Sequence, residues 1–314
     1  MTTLFTDPRF LEHETGPHPE SPARLAAVHR MLDETGLRER CAAGECRAAE
    51  RKTLRRVHTP EYLSELELFD QSGGGQIDAD TVMGPRSLEV ARLAAGSVCA
   101  AADVVCSTPE KSALVLSRPP GHHALSQAAM GFCLFNNVAI AAAHARDVRR
   151  LERLLIVDWD VHHGNGTQDI FYDDGRVGYL SIHRAPFYPG TGRRDETGAG
   201  DGLGTTWNLP IAFGTRRTAF RNTFAAALET AAERMRPELI LISAGFDAHA
   251  ADPIGSLGLE SEDFGELTRM VQEVADVHAG GRIVSVLEGG YNPAALAESV
   301  QAHLDMLSGP KANA

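Results

Sequence analysis

The stretch Leu154-Leu155-Ile156-Val157-Asp158-Trp159-Asp160-Val161-His162-His163-Gly164-Asn165-Gly166 constrains this chain more than any other. Its first four residues are aliphatic and partly β-branched, the composition of a strand covered on both faces and hence of a parallel sheet with helices on either side. Two carboxylates and two imidazoles follow at once, then two glycines that let the backbone turn away. A polar cluster of this kind is costly to bury unless something binds it, and in open parallel sheets ligands sit beyond the carboxyl ends of strands. If the strand continues, Asp158, Asp160 and His162 share one face through its two-residue period, and Asp160 and His162 can meet one ion. A carboxylate oxygen and an imidazole nitrogen together suit zinc, a borderline-soft cation that accepts both.

Three further apolar runs end in the same way. Ala113–Leu116 leads into Arg118-Pro119-Pro120-Gly121-His122-His123, Leu239–Ser243 into Ala244-Gly245-Phe246-Asp247, and Ile283–Leu287 into Glu288-Gly289-Gly290-Tyr291. Parallel strands would bring these polar ends together. Between them lie helical patterns over about 22–34, 56–69, 87–106, 136–150, 216–235 and 293–307, with further strands near Leu4, at 177–183 and at 207–210. The fold class expected is therefore α/β, with a mostly parallel central sheet.

At 314 residues and 43% apolar content, the chain can build one large core, and no linker or repeat divides it, so one domain over 1–314 is expected. A net charge of −12 disfavours direct nucleic-acid binding, which needs clustered Lys and Arg, and tolerates a cationic substrate. The five cysteines are an odd number without C-x-x-C spacing, which fits a reducing cytoplasm. Met1–Phe10 lacks a basic segment and an apolar stretch, and no run reads as long enough to span a bilayer, so a soluble cytoplasmic protein with no membrane partner is expected.

Asp160, His162 and Asp247 would give zinc three protein ligands and leave a fourth position open, as catalytic sites do. His122 and His123 are placed to supply a base and then an acid for a departing amine. Asp158 would orient one imidazole and Asn165 the other, the latter through a neutral hydrogen bond. Tyr291, on its Gly-Gly turn, would donate to an oxyanion developing on a substrate carbonyl. Gly131-Phe132-Cys133 is read as folding back over this site. The combination specifies hydrolysis of an amide or ester.

The four motifs, in this order, resemble those of the histone deacetylase family of zinc amidohydrolases, nearest to its class II-like bacterial deacetylases and acetylpolyamine amidohydrolases. The resemblance spans nearly the whole chain and implies the three-layer α/β/α arginase/deacetylase fold. It implies Asp160, His162 and Asp247 as zinc ligands, His122 and His123 as acid/base, Tyr291 as stabiliser of the tetrahedral intermediate, and an acylated lysine or small acylated amine as substrate. Potassium near the zinc is implied at Asp158, Asp160, His162, Ser181 and Ile182, mostly through backbone oxygens, and a second potassium at Phe171, Asp174 and Val177. Gly131, Phe132 and Tyr188 match the wall of the family's acyl-lysine tunnel, where Tyr188 replaces the usual Phe. Asp80 matches a rim carboxylate that grips substrate backbone, and Arg24 a buried arginine near the channel floor. Ile254 stands where the polyamine branch carries a gatekeeper glutamate, which argues against that mode of recognition.

Two other readings compete. A ureohydrolase of the same fold bridges two manganese ions, but Gly164 and Gly245 stand where its additional aspartates belong. A non-catalytic acyl-ligand sensor needs none of the proton-transfer groups, all of which are present here.

Overall fold

The computed structural model, which describes residues 1–309, has ten strands and nine α-helices among the described residues; the last five positions of the expected 1–314 domain lie outside them. The strands are β1 (Thr2–Phe5), β2 (Ala42–Ala43), β3 (Gly75–Gln76), β4 (Val82–Met83), β5 (Ser112–Val115), β6 (Leu154–Asp158), β7 (Val177–Arg184), β8 (Thr206–Ile211), β9 (Leu239–Ala244) and β10 (Ile283–Leu287). The helices are α1 (Pro22–Thr35), α2 (Arg51–Leu54), α3 (Pro60–Gln71), α4 (Ser87–Ser107), α5 (Asn137–Arg149), α6 (Asn165–Phe171), α7 (Arg217–Met235), α8 (Ser261–His278) and α9 (Pro293–Leu307).

Eight strands form one sheet in the order β2-β1-β5-β10-β9-β6-β7-β8, every pair parallel, and β3 and β4 make a separate antiparallel hairpin. The four strands whose polar ends drew notice in the sequence, β5, β10, β9 and β6, are consecutive neighbours. Their register is level: Asp158 pairs with Ser243, Ala244 with Leu287, and Val286 with Val115. The chain leaves β5 for β6 and only later fills the gap with β9 and β10, which opens a crevice beyond the carboxyl ends where the strand order reverses.

Successive residues of β6 face opposite layers, as a strand buried on both sides requires. Leu155 and Val157 belong to the same core as Leu25 and Leu32 of α1, Phe224 of α7, Phe264 of α8 and Val300 of α9, whereas Leu154 and Ile156 belong to the core on the other face with Val98 and Val105 of α4 and Val138 and Ala142 of α5. The result is the α/β/α sandwich that the motifs implied.

Two expectations need correction. Helix α4 is long and apolar enough to cross a membrane, contrary to the reading that no such run exists, but 72% of its most apolar window is buried within the fold. Its alanines let it lie close against α5 and β5, which makes it a core helix. Helix α8 is unassigned in the sequence reading although its start carries a reciprocal cap, with the Glu260 side chain accepting from the Asp263 backbone and Asp263 returning the bond.

Candidate active site

Strand β6 stops at Asp158, so the two-residue period does not carry Asp160 and His162 onto one strand face. The backbone instead winds through two successive turns closed by side chains: Asp160 N–H donates to Asp158 Oδ1 at 3.1 Å, and His162 N–H to Asp160 Oδ1 at 2.9 Å. The same three residues converge, but through aspartate-capped turns rather than pleating.

Asp160, His162 and Asp247 each offer one ligand atom, and these atoms lie within 4.8 Å of one another, all buried. His162 Nδ1 sits 3.0 Å from Asp160 Oδ1 and 3.1 Å from Asp247 Oδ2. Asp160 Oδ2 accepts from Gly289 N–H at 2.9 Å and Asp247 Oδ1 from Val161 N–H at 2.8 Å, which fixes both carboxylates and leaves the buried Asp247 Oδ2 without a hydrogen-bond partner. Burial, reinforced by the charge of Asp160, pushes the Asp247 carboxyl up to about 7. Burial opposes charge on His162 as well, yet the two carboxylates overcome it and raise the imidazole to about 10. In the absence of a cation the three converging groups therefore favour holding protons between them, and a bound cation would compete with those protons. The donor set of two carboxylates and one imidazole fits zinc. A Cβ at Gly245 or Gly289 would overlap these carboxylates, and one at Gly164 would overlap Asp158, so the glycines the sequence reading set against a second metal are sterically required.

His122 and His123 arrive on the turn after β5, and their environments differ. His122 Nδ1 lies 3.0 Å from Asp158 Oδ2, which also accepts from Tyr179 OH at 3.0 Å. Burial works against its charge, but Asp158 and Asp160 raise it to about 10. His123 Nδ1 faces the amide oxygen of Asn165 at 2.8 Å. Burial and then the charge of His122 hold its pKa well below the ordinary imidazole value. The surroundings therefore favour charge on one imidazole and disfavour it on its neighbour. The two histidines find the partners expected for them, Asp158 and Asn165.

The rim is built from several loops. Phe132 has a φ of 70°, an unusual conformation for a large side chain, and it is held by Asp80 Oδ1 accepting from Gly131 N–H at 3.2 Å and Thr81 Oγ1 accepting from Phe132 N–H at 3.2 Å. His18 packs edge-on to the Phe132 ring at 4.6 Å, and Tyr291 at 5.7 Å. Tyr188 stands edge-on to His123 at 5.2 Å and to His162 at 6.0 Å, and burial together with the Asp80 carboxylate raises its phenol. Ile254 is half-buried on a turn whose Asp252 accepts from Ile254 N–H at 2.9 Å and from Tyr291 N–H at 2.6 Å. Burial, then the charge of Asp247, lifts the Tyr291 phenol well above its ordinary value.

Arg24 is buried, with its guanidinium 4.9 Å from the Tyr291 ring centre and Nε donating to Gly290 O at 2.6 Å. Of the residues linked to potassium, Asp158 pairs with Ser181 across β6 and β7, with Ile182 next along β7. Phe171 O accepts from Asp174 N–H and Asp174 O from Val177 N–H, at 3.1 and 3.3 Å, so these three line one turn.

The sequence reading misses the supports behind these groups. Glu288 accepts from the N–H groups of Gly121 and His122 at 2.6 and 3.2 Å and from Ser243 Oγ at 2.9 Å, tying three strand ends together. Glu20 bridges Arg24 at 3.0 Å and Arg118 at 2.6 Å, all three fully buried. Glu288 adjoins a recognised motif and Glu20 lies in a proline-rich loop, so neither periodicity nor spacing singles them out.

Residues 18–307 match the histone deacetylase domain family. The chain is 38% identical over 327 residues to a histone deacetylase-like amidohydrolase of Pseudomonas aeruginosa, covering 98% of this chain and 86% of that protein. It is 40% identical over 295 residues to a probable deacetylase of Archaeoglobus fulgidus, covering 93% and 82%. The human polyamine deacetylase HDAC10 is 43% identical over 306 residues, covering 93% of this chain and 45% of that protein. The crystal structure of the HDA15 HD domain superposes with a TM-score of 0.91 at 36% identity, covering 99% of this chain and 89% of that one. With its four motifs gathered at one sheet edge and this likeness along nearly its whole length, the chain belongs to the histone deacetylase family.

Proposed function

We propose that the protein is a zinc-dependent deacetylase that hydrolyses the amide of an N-acetylated or otherwise N-acylated lysine, or of a small N-acylated amine. The observation that carries this reading is the convergence of a three-ligand cluster with a neutral imidazole, a charged imidazole and a phenol around one channel. Asp160, His162 and Asp247 would hold the ion, which when bound supplies Lewis acidity to the carbonyl and to a water molecule.

His123 is the base. Asn165 accepts its Nδ1–H, which leaves the Nε2 lone pair free to take a proton from the attacking water and return it to the departing amine. His122, held charged by Asp158, does not exchange that proton; its fixed positive charge favours the negative charge that develops beside it. Tyr291 remains a phenol at neutral pH because burial raises its pKa, and so it stays a donor to the oxyanion. Phe132 and Tyr188 flank the alkyl stem and exclude water, and Asp80 fixes the Phe132 loop while presenting negative charge at the mouth. The apolar Ile254 offers no carboxylate to a second ammonium, which favours acyl-lysine or a short acylated amine over a polyamine.

Potassium at the Asp158, Ser181 and Ile182 region, and at the turn through Phe171, Asp174 and Val177, belongs to the same reading. So does a cytoplasmic location, with which five free thiols agree. The test is a hydrolysis screen across acylated lysines, acetylpolyamines and small amides. Turnover of an acetyl-lysine peptide that is lost in His123→Ala supports the proposal, whereas zinc-loaded protein with no turnover on any of them supports a ligand sensor.

A further inference from the structure

Arg184, the last residue of β7, stands outside every motif considered so far, yet it touches both the loop that bears Phe187 and the turn that bears Gly255. Its guanidinium lies between two aromatic rings, with its central carbon 4.3 Å from the ring centre of Phe187 and 4.6 Å from that of Phe213. Phe187 in turn stacks on His162, with ring centres 5.1 Å apart and planes 20° from parallel. A continuous pile thus runs from Phe213, which is 67% exposed, through Arg184 and Phe187 to an imidazole of the metal cluster. The same guanidinium donates from Nη1 to Gly255 O at 2.6 Å. Gly255 N–H donates to Asp252 Oδ1 at 2.9 Å, and Asp252 Oδ2 accepts from Tyr291 N–H at 2.6 Å.

We propose that Arg184 is a positioning residue that clasps the loop bearing Phe187 and Tyr188 to the turn bearing Asp252 and Ile254, and so holds His162 and Tyr291 in register across the channel. Three observations carry this. A planar cation between two aromatic faces is held in one orientation by both quadrupoles. That orientation aims Nη1 at a carbonyl on the opposite loop. The exposed Phe213 has a defined contact rather than being a stray apolar side chain. A lysine keeps the charge but not the plane, so it cannot both stack and point.

The inference rests on the reading of the site as a metal amidohydrolase, and its test separates the two. The full-length chain is prepared as wild type, Arg184→Gln, Arg184→Lys and Phe213→Ala; the last substitution is on the surface and leaves the core intact. Zinc affinity is measured on metal-stripped protein by competition with a chromophoric chelator, and kcat and KM on an acetyl-lysine peptide. Expected are a several-fold weaker zinc affinity and a kcat lowered about ten-fold in Arg184→Gln, as loosened catalytic geometry produces, with KM changed less. Phe213→Ala should give a smaller change in the same direction, and Arg184→Lys should not restore Arg184→Gln to wild type. If the wild type hydrolyses nothing but Arg184→Gln still weakens zinc, the clasp stands and the deacetylase reading fails. If the wild type is active and both Arg184→Gln and Phe213→Ala match it in zinc affinity and kcat, or if lysine restores full function, the clasp is overturned.

Discussion

The Nδ1 atom of His122 stands 3.0 Å from Asp158 Oδ2, in an ion pair almost closed to solvent. At the next residue, His123 Nδ1 faces an amide oxygen instead. Two adjacent, identical side chains are thereby biased to different protonation states, and the division of labour between them follows from what lies behind each ring.

Asn165→Asp tests that division. A carboxylate at Nδ1 favours the imidazolium of His123, so its pKa rises, and the neutral base is lost at a higher pH than before. An opposite charge at this range shifts a pKa by about 1–3 units. The acidic limb of the kcat/KM profile should move upward by that order, with activity below neutrality falling first. A limb that stays in place would mean that His123 is not the base.

Tyr291→Phe removes the phenol while keeping the ring that packs against Phe132 and Arg24. Loss of one oxyanion donor costs about 10²–10³ in kcat. Steady-state kinetics should show that fall with KM little changed; a fall confined to KM would place Tyr291 in substrate binding instead.

Glu20 joins Arg24 and Arg118 in a fully buried cluster. Burial alone would raise its carboxyl, but Arg118, His13 and Arg24 hold it at about 2, below its ordinary 4.5. A folded-state pKa below the unfolded one gives stability that is present above about pH 4.5 and is lost as pH falls through about 2. Glu20→Gln leaves two buried guanidinium groups short of their counter-charge and should cost about 3–5 kcal/mol at neutral pH in urea unfolding. The gap to wild type should narrow as pH drops below about 4.5, because the wild-type side chain then begins to lose its own advantage. A gap that is constant with pH would contradict this account.

Gly245→Ala should remove zinc binding without unfolding the protein, since the added methyl meets the Asp160 side chain rather than the helices. The metal content of purified variant and the wild type, read beside their melting temperatures, decides it. Full zinc occupancy in the variant would show that the turn after β9 has room the structure denies it.

The sheet and the ligand set were legible because both leave local signals. Aliphatic runs such as Leu239–Ser243 report burial on two faces, and the polar residues that follow them report a strand end, so the four motifs point to one place on sequence alone. The β6 turn was misread because alternation along a strand and an aspartate-capped turn put residues two apart on the same side. Helix α4 meets the length and hydropathy of a membrane span, and its packing against α5 and β5 shows it to be a core helix. Arg184, Glu20 and Glu288 act through partners far along the chain, Gly255, Arg118 and Gly121 among them, and no local pattern encodes such pairings.

The most direct measurement is a zinc titration of metal-stripped protein, with acetyl-lysine peptide hydrolysis and bound metal followed together. Activity should rise in proportion to zinc, reach its plateau at one ion per chain, and be absent in Asp247→Ala. Activity that needs a second equivalent, or that is indifferent to zinc and survives loss of Asp247, would contradict the single-ion site on which the account rests.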